Sequence, residues 1–155
     1  MNRPPKFFKT VTLAGLLVGT MDISAAIIQF LIQTGRSPAR IFWFIASGIL
    51  GRSAYTGGAL TAIFGLALHY LIAFCFTFLF FLLYPRLAFL SKSIVVSGIL
   101  YGAFIWVIMN LIVVPLSNAQ KFGFSLTQSL IAAGILIVAI GIPLSIIAKR
   151  YYSHN

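Results

Sequence analysis

Four long runs of apolar residues dominate the chain. Each exceeds the roughly 20 residues that a helix needs to cross about 30 Å of hydrocarbon. None of them alternates polar and apolar residues at every second position, as the strands of a membrane barrel would. The predicted spans cover about residues 10–34, 59–84, 94–116 and 124–148. The pattern predicts an all-α, four-transmembrane-helix bundle that forms a single domain over residues 1–155.

The segment between the first two runs has a different pattern. Ser37-Pro38 is typical of an N-cap followed by a proline in the first helical turn. The apolar stretch that follows is too short to cross a bilayer. Arg36, Arg40 and Trp43 are residue types that anchor a helix at the membrane surface. We expect a short interfacial amphipathic helix over about residues 38–50, with a re-entrant segment as the alternative.

Composition excludes a water-soluble protein. Only 8% of the residues are charged and 61% are hydrophobic, with a mean hydropathy of +1.06. Eleven Lys or Arg stand against one acidic residue, a balance that suits anchoring to anionic lipid. These basic residues fall in separate segments rather than on one surface, so no nucleic acid is expected as a partner. The expected partner is the lipid bilayer.

The distribution of Lys and Arg predicts the orientation of the chain in the membrane. Seven lie in the N-terminal segment, the loop between the second and third spans, and the C-terminal segment. Four lie on the other side: Arg36, Arg40, Arg52 and Lys121. Since the side richer in basic residues faces the cytoplasm, we expect both termini there.

Asp22 is the only acidic residue, and it falls in the middle of the first span. A carboxylate at mid-bilayer costs about 2.5–3.5 kcal/mol on insertion scales, so such residues usually face the bundle interior. At about 1.5 Å per residue, Asp22 lies about 18 Å from the inner edge of its span and His69 about 15 Å from the outer edge of the second. In a hydrocarbon core of about 30 Å, the two depths agree. We expect a hydrogen bond between them, directly or through one water, either in a proton-binding site or in a polar pair that only fixes helix register.

Other polar residues extend this candidate site. Trp106 and Tyr70 are alternative partners for Asp22, and Gly134 lies in the same layer and leaves room for a cavity, although tight packing is the simpler expectation. Asn110 and Gln128 form a second polar layer nearer the outer face. They are interpreted as hydrogen-bonding groups between the last two spans or as a polar vestibule.

Glycines mark the faces on which helices are expected to pack closely. Small residues let helix backbones approach each other in a membrane. The candidate packing positions are Gly15, Gly19, Gly65, Gly98, Gly102 and Gly134. Residues 14–19 and 97–102 share the pattern small-Gly-x-Leu-x-Gly, which indicates either an internal repeat of two helical hairpins or chance.

Nothing in the sequence indicates an enzyme. There is no second carboxylate, no glycine-rich phosphate loop and no metal-ligand spacing around Cys75 or the two His. No catalytic residue, metal or cofactor is therefore expected. The remaining functions are a transporter-like or channel-like unit with a midplane Asp/His site, or a structural or assembly subunit within a homodimer or larger membrane complex.

Four short motifs carry a family resemblance. They are Gly15-Leu-Leu-Val-Gly19-Thr-Met-Asp22, Phe44-Ile-Ala-Ser-Gly48, Leu68-His69-Tyr70 and Asn110-Leu-Ile-Val-Val-Pro115-Leu-Ser. With these, the chain resembles small uncharacterised bacterial four-helix inner-membrane proteins, loosely of the YagU-like kind. The resemblance implies a multi-pass protein of the bacterial cytoplasmic membrane and assigns no substrate or catalytic residue.

Overall fold

A computed structural model describes residues 5–121 and 125–153, and it is helical throughout without strands in those ranges. The elements are α1 (Pro5–Thr34), α2 (Ala39–Leu50), a 3₁₀ turn (Gly51–Thr56), α3 (Gly58–Leu83), α4 (Ala88–Lys92), α5 (Ile94–Leu116) and α6 (Leu126–Ser153). Helices α5 and α6 each contain a π-turn, at Met109–Val113 and Ile137–Gly141.

The four long helices are α1, α3, α5 and α6, and each is long and apolar enough to cross a membrane. The predicted all-helical chain with four helices of spanning length is confirmed, and it is compatible with a multi-pass membrane protein. Helix α1 begins before the predicted residue 10 and α6 continues past residue 148. Lysine and arginine are good helix formers, so the helices continue through the basic residues that flank the predicted spans. The predicted start of the fourth span, residue 124, lies outside the described residues.

The long helices form a bundle in which α1 packs on α3 and α6, and α6 packs on α5. The shared glycine pattern lies at two of these contacts. A Cβ on Gly15 or Gly19 would meet Phe74 or Tyr70 of α3, and a Cβ on Gly98 or Gly102 would meet Ile142 or Ile137 of α6. The first glycine pair therefore brings α1 close to α3, and the second brings α5 close to α6.

The hydrophobic core fills one half of the bundle, which we call the terminal half because Pro5 and Ser153 both lie there. Phe80, Phe81 and Leu144 are completely buried in it. The Tyr152 hydroxyl donates a hydrogen bond to the Phe81 carbonyl at 2.6 Å, and the Tyr84 and Tyr152 rings stack at 5.5 Å. These aromatic side chains close the interior of this half of the bundle, because four helices converge around them.

Helix α2 lies across the opposite half, which we call the loop half. A Cβ on Gly65 of α3 would collide with the Phe42 carbonyl, so the two backbones are in close contact. The Trp43 Nε1–H donates to the Gly58 carbonyl at 2.9 Å. At its other end α2 is tied to the segment after α5, because Asn118 donates its backbone N–H to Gly48 and its side-chain amide to Ile49. Helix α2 therefore connects α3 with the end of α5.

Candidate functional site

A cavity of about 560 Å³ occupies the loop half of the bundle. It lies where α3 and α5 make little direct contact. In the terminal half Tyr101 of α5 joins the two helices, with its hydroxyl bonded to the Phe76 carbonyl at 2.5 Å and its ring 4.5 Å from Phe80. Beyond this junction the helices leave a space that all four long helices and α2 line. The volume is in the range of small-molecule sites.

The cavity wall is mainly apolar. Helix α2 contributes one continuous face, made of Phe44, Ile45, Gly48 and Ile49. The polar lining side chains are few: Asp22, Gln29, His69, Trp106, Asn110 and Ser117. An apolar wall with a few polar groups is typical of sites that bind a largely apolar solute.

Asp22 lies at this wall, half-buried, on the face of α1 that packs on α3. It follows Gly19 by three residues, so the close glycine contact with α3 directs this side of α1 inward. Its carboxylate makes no hydrogen bond within residues 5–121 and 125–153, although it is close enough to His69 for electrostatic attraction. The one acid of the chain therefore meets the cavity without a bonded partner.

His69 lines the same cavity but has a different hydrogen-bond partner. Its Nε2 lies 2.8 Å from the Gly19 carbonyl oxygen, one helical turn before Asp22. A carbonyl only accepts, so Nε2 carries the hydrogen of this bond. The direct form of the predicted Asp22–His69 hydrogen bond is not present in the part of the chain that the structure describes. Gly19 has no side chain, which leaves its carbonyl accessible to the imidazole.

Of the other residues predicted for the site, some line the cavity and some do not. Trp106 lines the cavity, and its Nε1 is buried without a hydrogen-bond partner among the described residues. Tyr70 does not line it, because its hydroxyl shares a 2.7 Å hydrogen bond with Thr20. Gly134 neither lines the cavity nor packs on a helix, since a Cβ added there would meet nothing within 4 Å.

The second polar layer is only partly assembled. Asn110 lines the cavity, but its amide donates to the Trp106 carbonyl of its own helix at 3.0 Å and does not join two helices. Gln128 is exposed and lies away from the cavity. The π-turn at Met109–Val113 changes the helical register at Asn110, and a count of 3.6 residues per turn does not anticipate that change.

Gln29 also lines the cavity, on the same face of α1 as Asp22 and Ala26 and about two helical turns beyond Asp22. One feature of the site was missed by sequence reasoning. The α2 face also lines the cavity, and the amphipathic pattern of residues 41–49 was the available signal for a helix with one packed side. Both π-turns lie beside the cavity, and such turns occur frequently at functional sites.

Chemically, the arrangement combines a few polar groups with a mainly apolar wall. No group of three potential metal ligands occurs within the described ranges. Asp22 and His69 are titratable, and the remaining wall can hold apolar groups. Comparisons of the chain with known protein families, with curated proteins and with solved structures found no match.

Proposed function

We propose that the protein is a transporter-like unit of the bacterial cytoplasmic membrane, in which Asp22 and His69 bind a proton and the cavity binds a largely apolar solute. One observation carries the proposal: the only acid of the chain lies at the wall of an apolar cavity without a hydrogen-bonded partner among the described residues. An intramembrane carboxylate is costly, and such residues commonly mark proton or substrate pathways.

The shape of the bundle supports alternating access as the mechanism. The terminal half is closed by a buried aromatic core, whereas the loop half contains the cavity. With both termini in the cytoplasm, as the Lys and Arg distribution indicates, the cavity belongs to the external side. Helix α2 then lies in the outer interface and covers the cavity, with Arg36 and Arg40 near the lipid head groups.

Proton binding is the step that Asp22 and His69 are suited to perform. Asp22 and His69 both line the cavity and lie close enough for electrostatic attraction, and a proton taken up by Asp22 neutralises its carboxylate and removes that attraction. Asp22 lies on α1 and His69 on α3, so loss of the attraction changes the contact between these two helices. The bundle then has one state with the proton bound and another without it, and a coupled transporter requires two such states.

The experiment is proton flux in liposomes that contain a pH-sensitive dye. We expect the protein to dissipate an imposed pH gradient, alone or after addition of an organic extract of host membranes. Asp22→Asn keeps the size of the side chain but cannot titrate, so it should lower this flux at least about tenfold, within the usual range for loss of a proton-transfer group.

Ser24→Ala is the matched control. Ser24 lies on the exposed side of α1, two residues from Asp22 and away from the cavity, so its replacement should leave the flux unchanged. Equal flux through the original protein and Asp22→Asn, with and without the extract, would refute a proton role for this site.

The competing proposal is a structural or assembly subunit, alone as a homodimer or within a larger complex. Gly134 favours it, because open space beside a glycine on a membrane helix lets a second helix approach closely. This function predicts co-purification of a stoichiometric partner and no flux from the protein alone.

A further inference from the structure

A second cavity adjoins the first at the loop half of the bundle. Its volume is about 700 Å³, and it lies between the 3₁₀ turn after α2 and the segment that follows α5. Two basic side chains line it, Arg52 from the turn and Lys121 from the segment, together with Tyr55, Asn118 and Gln120. We call it the basic pocket.

The basic pocket has no negative charge of its own. The chain contains one acidic residue, Asp22, which does not line this pocket. Arg52 and Lys121 form no ion pair or hydrogen bond in the part of the chain that the structure describes. Two cations that face one cavity repel each other, and a bound anion would relieve this repulsion.

The walls of the basic pocket are held in place by hydrogen bonds. Asn118 donates to Gly48 at 3.0 Å and to Ile49 at 3.2 Å. Ser47 is buried, with its hydroxyl bonded to the Phe44 carbonyl at 2.6 Å. A site with fixed walls loses less conformational entropy when a ligand binds.

Ser117 and Ala119 line both cavities. The basic pocket therefore adjoins the mainly apolar cavity that reaches Asp22, and these two residues form part of the wall of each. A basic pocket beside an apolar cavity matches a molecule with an anionic head and an apolar tail.

We infer that the two cavities together bind a lipid-like amphiphile, with a phosphate-bearing head group in the basic pocket and its apolar chain in the cavity. The planar Arg52 guanidinium can donate two hydrogen bonds to one phosphate, Lys121 supplies a second positive charge, and Tyr55 offers a hydroxyl donor. This inference rests on the proposed function only in taking the apolar cavity as the substrate site, and it names the substrate class.

The test is binding of two single-chain lipids to the purified protein in uncharged detergent. Both lipids carry a phosphate, but the head group of monoacyl phosphatidylglycerol has a net negative charge. In monoacyl phosphatidylcholine of equal chain length a quaternary ammonium cancels that charge and is repelled by Arg52 and Lys121. We expect preference for the glycerol lipid, and the double variant Arg52→Gln with Lys121→Gln should weaken its binding at least about tenfold, because two charge-assisted phosphate contacts are lost. Binding of the choline lipid should change much less.

The double variant Arg36→Gln with Arg40→Gln is the matched control. It removes the same charge from the same half of the bundle, but neither residue lines the basic pocket, so binding should be retained. Equal losses in the two double variants would show a general charge effect and overturn the inference. Equal affinity of the original protein for both lipids would also overturn it.

Glycerol phosphate and inorganic phosphate distinguish a lipid from a free phosphate as the ligand. If the apolar cavity holds the chain, both should compete only weakly with the lipid. Competition as strong as that of the lipid itself would identify a free-phosphate site and refute the amphiphile.

The two proposals fail in different ways. Selective lipid binding without Asp22-dependent proton flux would support the amphiphile and refute the proton role. Asp22-dependent flux without head-group preference would do the reverse.

Discussion

Replacing Phe81 with alanine is expected to lower the free energy of unfolding by about 3–5 kcal/mol, the usual cost of removing a buried phenyl ring. Phe81 is 0% exposed. Its ring lies 6.1 Å from that of Phe7 and 6.0 Å from that of Tyr151, so it joins three of the long helices. In a membrane the loss comes from packing rather than from contact with water, since a void in the bundle has no atoms to replace the ring.

Phe64→Ala is the control on the same helix. Phe64 is 38% exposed and lies outside the core of the terminal half. The measurement is reversible unfolding in mixed detergent micelles. Similar losses for the two substitutions would contradict the assignment of the core to the terminal half.

Gly141→Ala is expected to lower the free energy of unfolding by about 3 kcal/mol, at the upper end of the usual cost of overpacking. A Cβ at Gly141 would collide with the backbone carbonyl of Gly98, and a Cβ at Gly98 would lie 2.8 Å from the backbone N of Ile142. Backbone atoms cannot move aside as a flexible side chain can. The α5–α6 contact would therefore have to open.

Gly134→Ala makes the same change in the same helix, where nothing lies within 4 Å of the new methyl group. It should be neutral or stabilising by up to about 1 kcal/mol, because alanine is the better helix former. Thermal unfolding of both variants in one detergent checks the pair. If Gly141→Ala were as stable as Gly134→Ala, the glycine-mediated α5–α6 contact would be wrong.

The length and apolar character of the runs were sufficient to predict the four long helices. Depth along two neighbouring helices was enough to suggest that Asp22 and His69 lie at one level, and both line the same cavity. The depth of a residue follows from the helical rise per residue, and neighbouring helices follow from their order along the chain, so both can be read from the sequence. The observed helix ends differed from the predicted ones where basic residues continued a helix.

Helix faces were harder to predict. A helix that is apolar all round has no polar side to identify its outer face, so glycines were the main guide. They succeeded at Gly15 and Gly98 and failed at Gly134, because a glycine permits a close contact but does not create one.

Hydrogen-bond partners and register changes were the least predictable features. His69 forms a hydrogen bond with a backbone carbonyl, and every residue has such a carbonyl, so the sequence does not single out this one. The Tyr70 hydroxyl forms a hydrogen bond with Thr20 instead of lining the cavity. The π-turns in α5 and α6 depend on how the bundle packs, and the one at Met109–Val113 includes Asn110.

The most direct test of the central claim is whether water-borne reagents reach the cavity beside Asp22. Cys75 is exposed, so Cys75→Ser provides the background for single cysteines at Ala26 and Ala14. Ala26 lines the cavity, whereas Ala14 is 2% exposed within the core of the terminal half. Both lie on α1.

In membranes, a charged and membrane-impermeant thiol reagent applied to the side of the loop half should modify Ala26→Cys rapidly and leave Ala14→Cys unmodified. This result would show a cavity open to that side and closed towards the termini. If Ala26→Cys is inert from both sides of the membrane, or if Ala14→Cys reacts as fast, the bundle has no such cavity at Asp22.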